Sequence, residues 1–291
     1  MKFSLAVNFC SYSHYVPLAL AAEAGLWNSI NVADGLFFYE EPANKYPYTA
    51  DGERYWHGKT HFPDPFVMVG AMAAVTKRIE FFTNVLKLPV RNPYLTAKQA
   101  LTTSCISEGR FGLGVGLSPW QDDYTVCNQE WSTRGARCEE MIDIIKLMAT
   151  GDMVEFHGKH YDMPRMQIAP VPKPPQKMPI YIGGSADVVL KRCARMTDGW
   201  VSVNYTFEHN QEIIAKLKQF RKEFDKENEP FEIKVLATDI ADMDGFKRLR
   251  DLGTTEAVVM PQFMYGGDPR DVNYKIDAAK RFSDEVIAKF N

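Results

Sequence analysis

Ser107-Glu108-Gly109-Arg110-Phe111-Gly112-Leu113-Gly114-Val115-Gly116 carries the chain from the end of a helix into a strand. Residues 96–107 read as the helix and residues 111–116 as the strand, and the same succession repeats in both directions. Upstream, residues 2–8 read as a first strand. Residues 17–24 follow as an Ala/Leu-rich helix, with Gly25 where a helix C-cap is expected. Residues 30–38 are a second strand. Asp64-Pro65 opens a helix through Val75 as N-cap and first-turn proline, and residues 78–86 are a third strand. Downstream, residues 134–148 form a helix in which Met141, Ile145 and Met148 share one face for core packing. Residues 153–163 read as a small hairpin turning at His157-Gly158-Lys159, and residues 164–179 as an extended crossing loop. The remaining strands are 179–184, 200–204, 231–238 and 257–260. A helix begins near Ala186, and others cover 212–226, 245–251 and 272–290. Eight strands each followed by a helix predict an α/β architecture, a (β/α)8 TIM barrel of one domain over 1–291 with insertions in the βα loops.

Composition places few other demands on the chain. Its 291 residues are 45% hydrophobic and 24% charged, with a net charge of −3, so neither nucleic acid nor an acidic membrane surface is an expected partner. Cys10, Cys105, Cys127, Cys138 and Cys193 show no paired or metal-type spacing, which suits free thiols in a reducing compartment. The N-terminus lacks a signal-peptide pattern and no segment reads as a membrane span, so the expectation is cytoplasmic, with no metal.

Barrel chemistry belongs at the C-terminal ends of the strands. Gly114 and Gly116 close the fourth strand, where missing side chains let something flat approach the backbone; tight barrel packing accounts for them equally. Gly183-Gly184-Ser185 lies between a strand and a helix start, where backbone N–H groups suit a phosphate, though a plain tight turn needs the same residues. Residues 39–63 are rich in Pro, Gly, Tyr and Trp without a period, and read as a lid or as a surface insertion. Tyr46, Tyr48, Tyr55 and Trp56 would cover the site, with Trp120 as a pocket wall, or these aromatics pack as core under the segment. His14, just past the first strand, is placed to face the pocket and anchor substrate. No hydrolase, zinc-protease or P-loop signature occurs, and no residue is assigned as catalytic.

Taken in order, several pieces resemble the luciferase-like superfamily of flavin- and deazaflavin-dependent oxidoreductases over nearly the whole chain. They are Ala21-Ala22-Glu23-Ala24-Gly25-Leu26-Trp27, Val32-Ala33-Asp34, Asp64-Pro65-Phe66, Ala73-Ala74-Val75-Thr76-Lys77-Arg78-Ile79 and Thr83-Asn84-Val85. The opening decapeptide, Arg134-Gly135, Pro179-Ile180-Tyr181-Ile182-Gly183-Gly184-Ser185 and Asp198-Gly199-Trp200 complete the set. The resemblance implies a barrel holding FMN or the deazaflavin coenzyme F-420 across its mouth. It puts Asp34, Gly114 and Gly116 beside the cofactor, and a bulge with a non-proline cis peptide at Asn84-Val85 under the ring. Gly183, Gly184 and Ser185 fall where the cofactor phosphate is met, and His14, Tyr39, Trp56 and Trp120 on the substrate side. Leu117 replaces the phosphate-binding arginine of bacterial luciferases. Gly35 and Ser118 stand where deazaflavin sugar-phosphate dehydrogenases have His and Glu. The resulting expectation is hydride transfer with coenzyme F-420 on a small-molecule substrate. FMN with a partner reductase in a monooxygenase, or a non-catalytic flavin-binding relative, are the alternatives. A homodimer is implied through helices beside strands two and three.

Overall fold

The computed structural model describes residues 1–174 and 176–290. In chain order the strands are β1 (Lys2–Ala6), β2 (Ser29–Val32), β3 (Glu80–Thr83), β4 (Leu86–Lys87), β5 (Phe111–Gly116), β6 (Val154–His157), β7 (Asp162–Met166), β8 (Ile180–Gly183), β9 (Gly199–Val201), β10 (Glu232–Val235) and β11 (Glu256–Val259). The helices are α1 (Tyr15–Ala24), α2 (Pro65–Ala74), α3 (Pro93–Ile106), α4 (Gln121–Val126), α5 (Arg134–Met148), α6 (Asp187–Met196), α7 (Phe207–Glu223), α8 (Met243–Leu252) and α9 (Val272–Glu285). The parallel order β3-β2-β1-β11-β10-β9-β8-β5 closes through β3–β5 pairing of Phe81 with Phe111, giving an eight-stranded barrel with helices between its strands. β4 is a short continuation along β5, and β6–β7 is an antiparallel hairpin outside the barrel.

Side-chain alternation along β5 explains its glycines. Phe111, Leu113 and Val115 pack outward in the main core. Gly112, Gly114 and Gly116 take the other face, toward the interior cluster of Ala6, Phe82, Tyr181, Val201, Leu236 and Val258. A Cβ at Gly112 would stand 2.7 Å from the Tyr181 ring, and one at Gly114 only 1.9 Å from the Thr83 carbonyl oxygen.

The recognisable sequence pieces tie helix ends to strands. Arg110 donates to the carbonyls of Ala73, Thr76 and Ile79, closing the C-terminal end of α2. Arg78 does the same for α1 through the carbonyls of Ala22, Glu23, Gly25 and Trp27. Asp64 and Asn92 cap α2 and α3 by accepting two backbone N–H bonds each.

Several expectations shift. Gly25 sits at the C-cap but is extended (φ −91°, ψ −161°); its small size accommodates Ser283, whose Oγ would lie 3.2 Å from a Cβ there. The second strand stops at Val32, because residues 33–38 leave the barrel to wall a cavity. The third breaks into β3 and β4 at Asn84-Val85, whose peptide bond is cis, as the resemblance implies. The hairpin extends to Met166, beyond the expected limit, and α4 was not anticipated at all. Residues 33–64 contain no helix or strand, in keeping with the irregular segment expected there. Among the described residues no helix is long and apolar enough to cross a membrane.

Candidate active site

The C-terminal strand ends meet the 39–63 segment around a cavity of about 300 Å³. Asn8 and Phe9 enter it after β1, Asp34 to Phe38 after β2, Asn84, Val85 and Lys87 around β4, and Leu117 after β5. Val203, Leu236 and Met260 follow β9, β10 and β11. Val85 shapes the floor. A Cβ at Gly116 would lie 2.7 Å from one Val85 methyl, and one at Gly183 would lie 2.9 Å from the other. These two glycines therefore let Val85 settle onto the barrel. At Gly114 the approaching group is the chain itself: Thr83 covers it and donates its hydroxyl to the Gly114 carbonyl at 2.6 Å.

The roof is aromatic. Tyr46 stacks on Trp120 at 5.5 Å and meets Trp56 edge-on at 5.0 Å. Phe9 packs against Tyr55, Trp56 and Phe62 with a left-handed backbone (φ 60°), a conformation costing a non-glycine residue roughly 1–2 kcal/mol. Burial raises the hydroxyl pKa values of Tyr46, Tyr48 and Tyr55, that of Tyr48 to about 12. These groups are accordingly neutral near pH 7 and serve as hydrogen-bonding hydroxyls.

Two ion pairs anchor the polar side. Asp34 takes Arg91 Nη2 at 2.9 Å and the Lys87 backbone N–H at 2.9 Å, so it braces the segment after Val85. Asp123, fully buried on α4, receives Lys87 Nζ and the Tyr39 hydroxyl, both at 2.9 Å, and the Ser118 hydroxyl. Burial and then Asp123 push the Tyr39 phenol upward. Against this framework, the side-chain oxygens of Asn8 and Asn84 are buried without any hydrogen-bond partner. A ligand supplying N–H or O–H donors would satisfy them.

The structure thus gathers Asp34, Asn84, Val85, Trp56 and Trp120 around one cavity. Tyr39 stands behind the wall, bonded to Asp123, and Gly114 and Gly116 lie below it. Gly183, Gly184 and Ser185 are next door at the start of α6; the Tyr205 hydroxyl donates to Ser185 Oγ at 2.9 Å, and the Tyr205 ring approaches Tyr48 of the roof. His14 is not in the wall: its Nδ1 is 3.4 Å from Lys275 Nζ, which also donates to Cys10. Phe9 and Asp123 escaped the sequence reading. Lys87 directly follows the third strand as the sequence gives it, the place from which a barrel side chain enters the site. Among the described residues no group of three or more His, Cys, Asp or Glu is gathered as if for a metal.

The family model described as luciferase-like monooxygenase matches residues 50–275. An uncharacterized protein from Mycobacterium tuberculosis is 40% identical over 291 residues, covering 99% of this chain and all of that one. An F-420-dependent glucose-6-phosphate dehydrogenase from Amycolatopsis mediterranei is 34% identical over 149 residues, 50% of this chain and 44% of that enzyme. Among solved structures, the coenzyme F-420-dependent tetrahydromethanopterin reductase from Methanopyrus kandleri superposes with a TM-score of 0.74 at 14% identity. That match covers 100% of this chain and 99% of the reductase.

Proposed function

This chain belongs to the luciferase-like monooxygenase family and is an oxidoreductase; from that premise we propose that it uses coenzyme F-420 for hydride transfer to or from a small organic substrate. The observation that carries the reading is the pair of partnerless oxygens on Asn8 and Asn84 beside the Val85 floor. Together they form a site for a flat group bearing hydrogen-bond donors, and a deazaflavin or flavin ring has that character.

Asn84 and Val85 would meet the ring, and Asn8 would accept from it. Asp34 keeps this floor in place through its bonds to Arg91 and to the Lys87 N–H. Gly183-Gly184-Ser185, before the N-terminus of α6, would take a cofactor phosphate. The group supplies the hydride chemistry once bound; the protein positions it and shields it. Tyr46, Trp56 and Trp120 would exclude water from above. The A. mediterranei relative supports the deazaflavin, as does Leu117 in the place of the luciferase phosphate-binding arginine. The family's description keeps a monooxygenase as the second reading, which would use FMN with a reductase partner. A homodimer through α2 and α3 belongs to the same proposal, supported by exposed Val67 and Leu95 on those helices.

Purified protein is titrated with coenzyme F-420 and with FMN, each followed by fluorescence. Micromolar binding of coenzyme F-420 with FMN excluded is the expected result, micromolar being an ordinary affinity of about −8 kcal/mol. Preference for FMN transfers the reading to the monooxygenase, and binding of neither overturns the cofactor site.

A further inference from the structure

Resting on the cofactor reading, the wall above the floor also constrains the substrate. It is built from aromatic faces and edges, with Tyr46 in contact with both Trp56 and Trp120. Such rings favour a partner that is itself flat and conjugated, by offset stacking or edge contact. Among the described residues Lys87 is the one lysine or arginine in the wall. Its ammonium has three donors, and among the described residues only Asp123 accepts from it. Asp123 is in turn fixed by Tyr39 and Ser118, so the ammonium of this lining residue is held in one place with a single acceptor for its three donors among the described residues. The Lys87 side chain is 10% exposed, which makes an added acceptor worth more there than in open water.

We infer that the substrate is a planar aromatic or conjugated molecule carrying an acceptor oxygen, which Lys87 receives while the ring lies against Tyr46, Trp56 and Trp120. Carbonyl, phenolate and carboxylate oxygens share that chemistry. Lys87 is a substrate-binding residue in this assignment, and Tyr39, Ser118 and Asp123 position it.

The test uses cofactor-loaded protein and three probes followed by tryptophan fluorescence. These are 2-naphthoate, 2-methylnaphthalene (the ring without the oxygen) and cyclohexanecarboxylate (the oxygen without the flat ring). Expected is binding of 2-naphthoate with the cofactor retained, and cyclohexanecarboxylate weaker by about tenfold or more. Lys87→Met should weaken 2-naphthoate by about tenfold while leaving 2-methylnaphthalene unchanged, and Lys87→Arg should restore much of the loss. Because Lys87→Met strands the Asp123 carboxylate, Lys87→Met/Asp123→Asn is measured in parallel, with 2-methylnaphthalene binding as its folding control. Equal losses for both naphthalenes, no preference for the flat acid, or displacement of the cofactor by 2-naphthoate would each overturn the inference. Should neither cofactor bind, the cofactor reading fails separately, and the same titrations on the unloaded chain still decide the ring and oxygen preferences.

Discussion

At the scale of single residues, two glycines with the same composition have opposite meanings. Gly114 cannot accept a Cβ, since the atom would fall 1.9 Å from a backbone oxygen that has nowhere to retreat inside the barrel wall. Gly70, in the middle of α2, has nothing within 4 Å of the same position. Gly114→Ala is therefore expected to destabilise by about 3 kcal/mol or more, or to abolish soluble expression. Gly70→Ala should stabilise by about 0.5–1 kcal/mol, through lower backbone entropy in the unfolded chain. Urea unfolding of both variants checks the pair; equal effects would show that the close approach of Thr83 to Gly114 does not exist. The sequence displays Gly114-Val115-Gly116 as a feature but cannot say what fills the space. That answer depends on Thr83 and Val85, about thirty residues earlier in the chain.

Elements were legible where a local signal and a tertiary tie coincide. Asp64-Pro65 marks α2 because its carboxylate accepts the Phe66 and Val67 N–H groups, a purely local arrangement. The ends of α1 and α2 depend instead on Arg78 and Arg110, whose partners lie 31 to 56 residues away. Glu23 completes the joint between α1 and β3 by accepting the backbone N–H groups of Lys77, Arg78 and Ile79. Burial pushes its carboxyl pKa up, but these three bonds and Arg78 outweigh that and hold it low. A lowered folded-state pKa stabilises above the unfolded value of about 4.3, and the contribution disappears as pH falls through the lower, folded value. Glu23→Gln should cost about 1–2 kcal/mol at pH 7, and the gap to the parent should close as the solution is acidified below about pH 4. A gap that persists unchanged at low pH would remove the charge from this account. Helix α4, in contrast, has six residues and no side-chain cap, so nothing local announced it, and with it Asp123 went unseen.

Across the whole molecule, the barrel interior is layered. The end bearing the C-termini of the strands holds the cavity, the middle is filled by Phe82 and Tyr181, and the opposite half contains a buried charge cluster. There Lys234, 2% exposed, pairs with Glu256 and with Glu232 at 2.6 Å, and its ammonium lies 4.6 Å and 4.8 Å from the centres of the Phe82 and Tyr181 rings. The overall α/β alternation was readable because each strand and helix carries its own period. This cluster was not, because Lys234 and Glu256 come together only when adjacent strands β10 and β11 are in register. Burial lowers the Lys234 pKa, yet the two glutamates more than compensate and raise it. The stabilisation from a raised lysine is complete below its unfolded pKa of about 10.4 and is lost as pH climbs through the higher, folded value. Lys234→Met should consequently destabilise by about 3–5 kcal/mol near pH 7, by leaving Glu256 buried without its cation. Lys234→Met/Glu256→Gln should recover part of that loss, since the uncompensated charge is then gone. Denaturant titrations from pH 7 to 11 separate charge from packing. A gap between parent and Lys234→Met that narrows above about pH 10.4 assigns the loss to the ammonium, whereas a constant difference assigns it to the shape of the side chain.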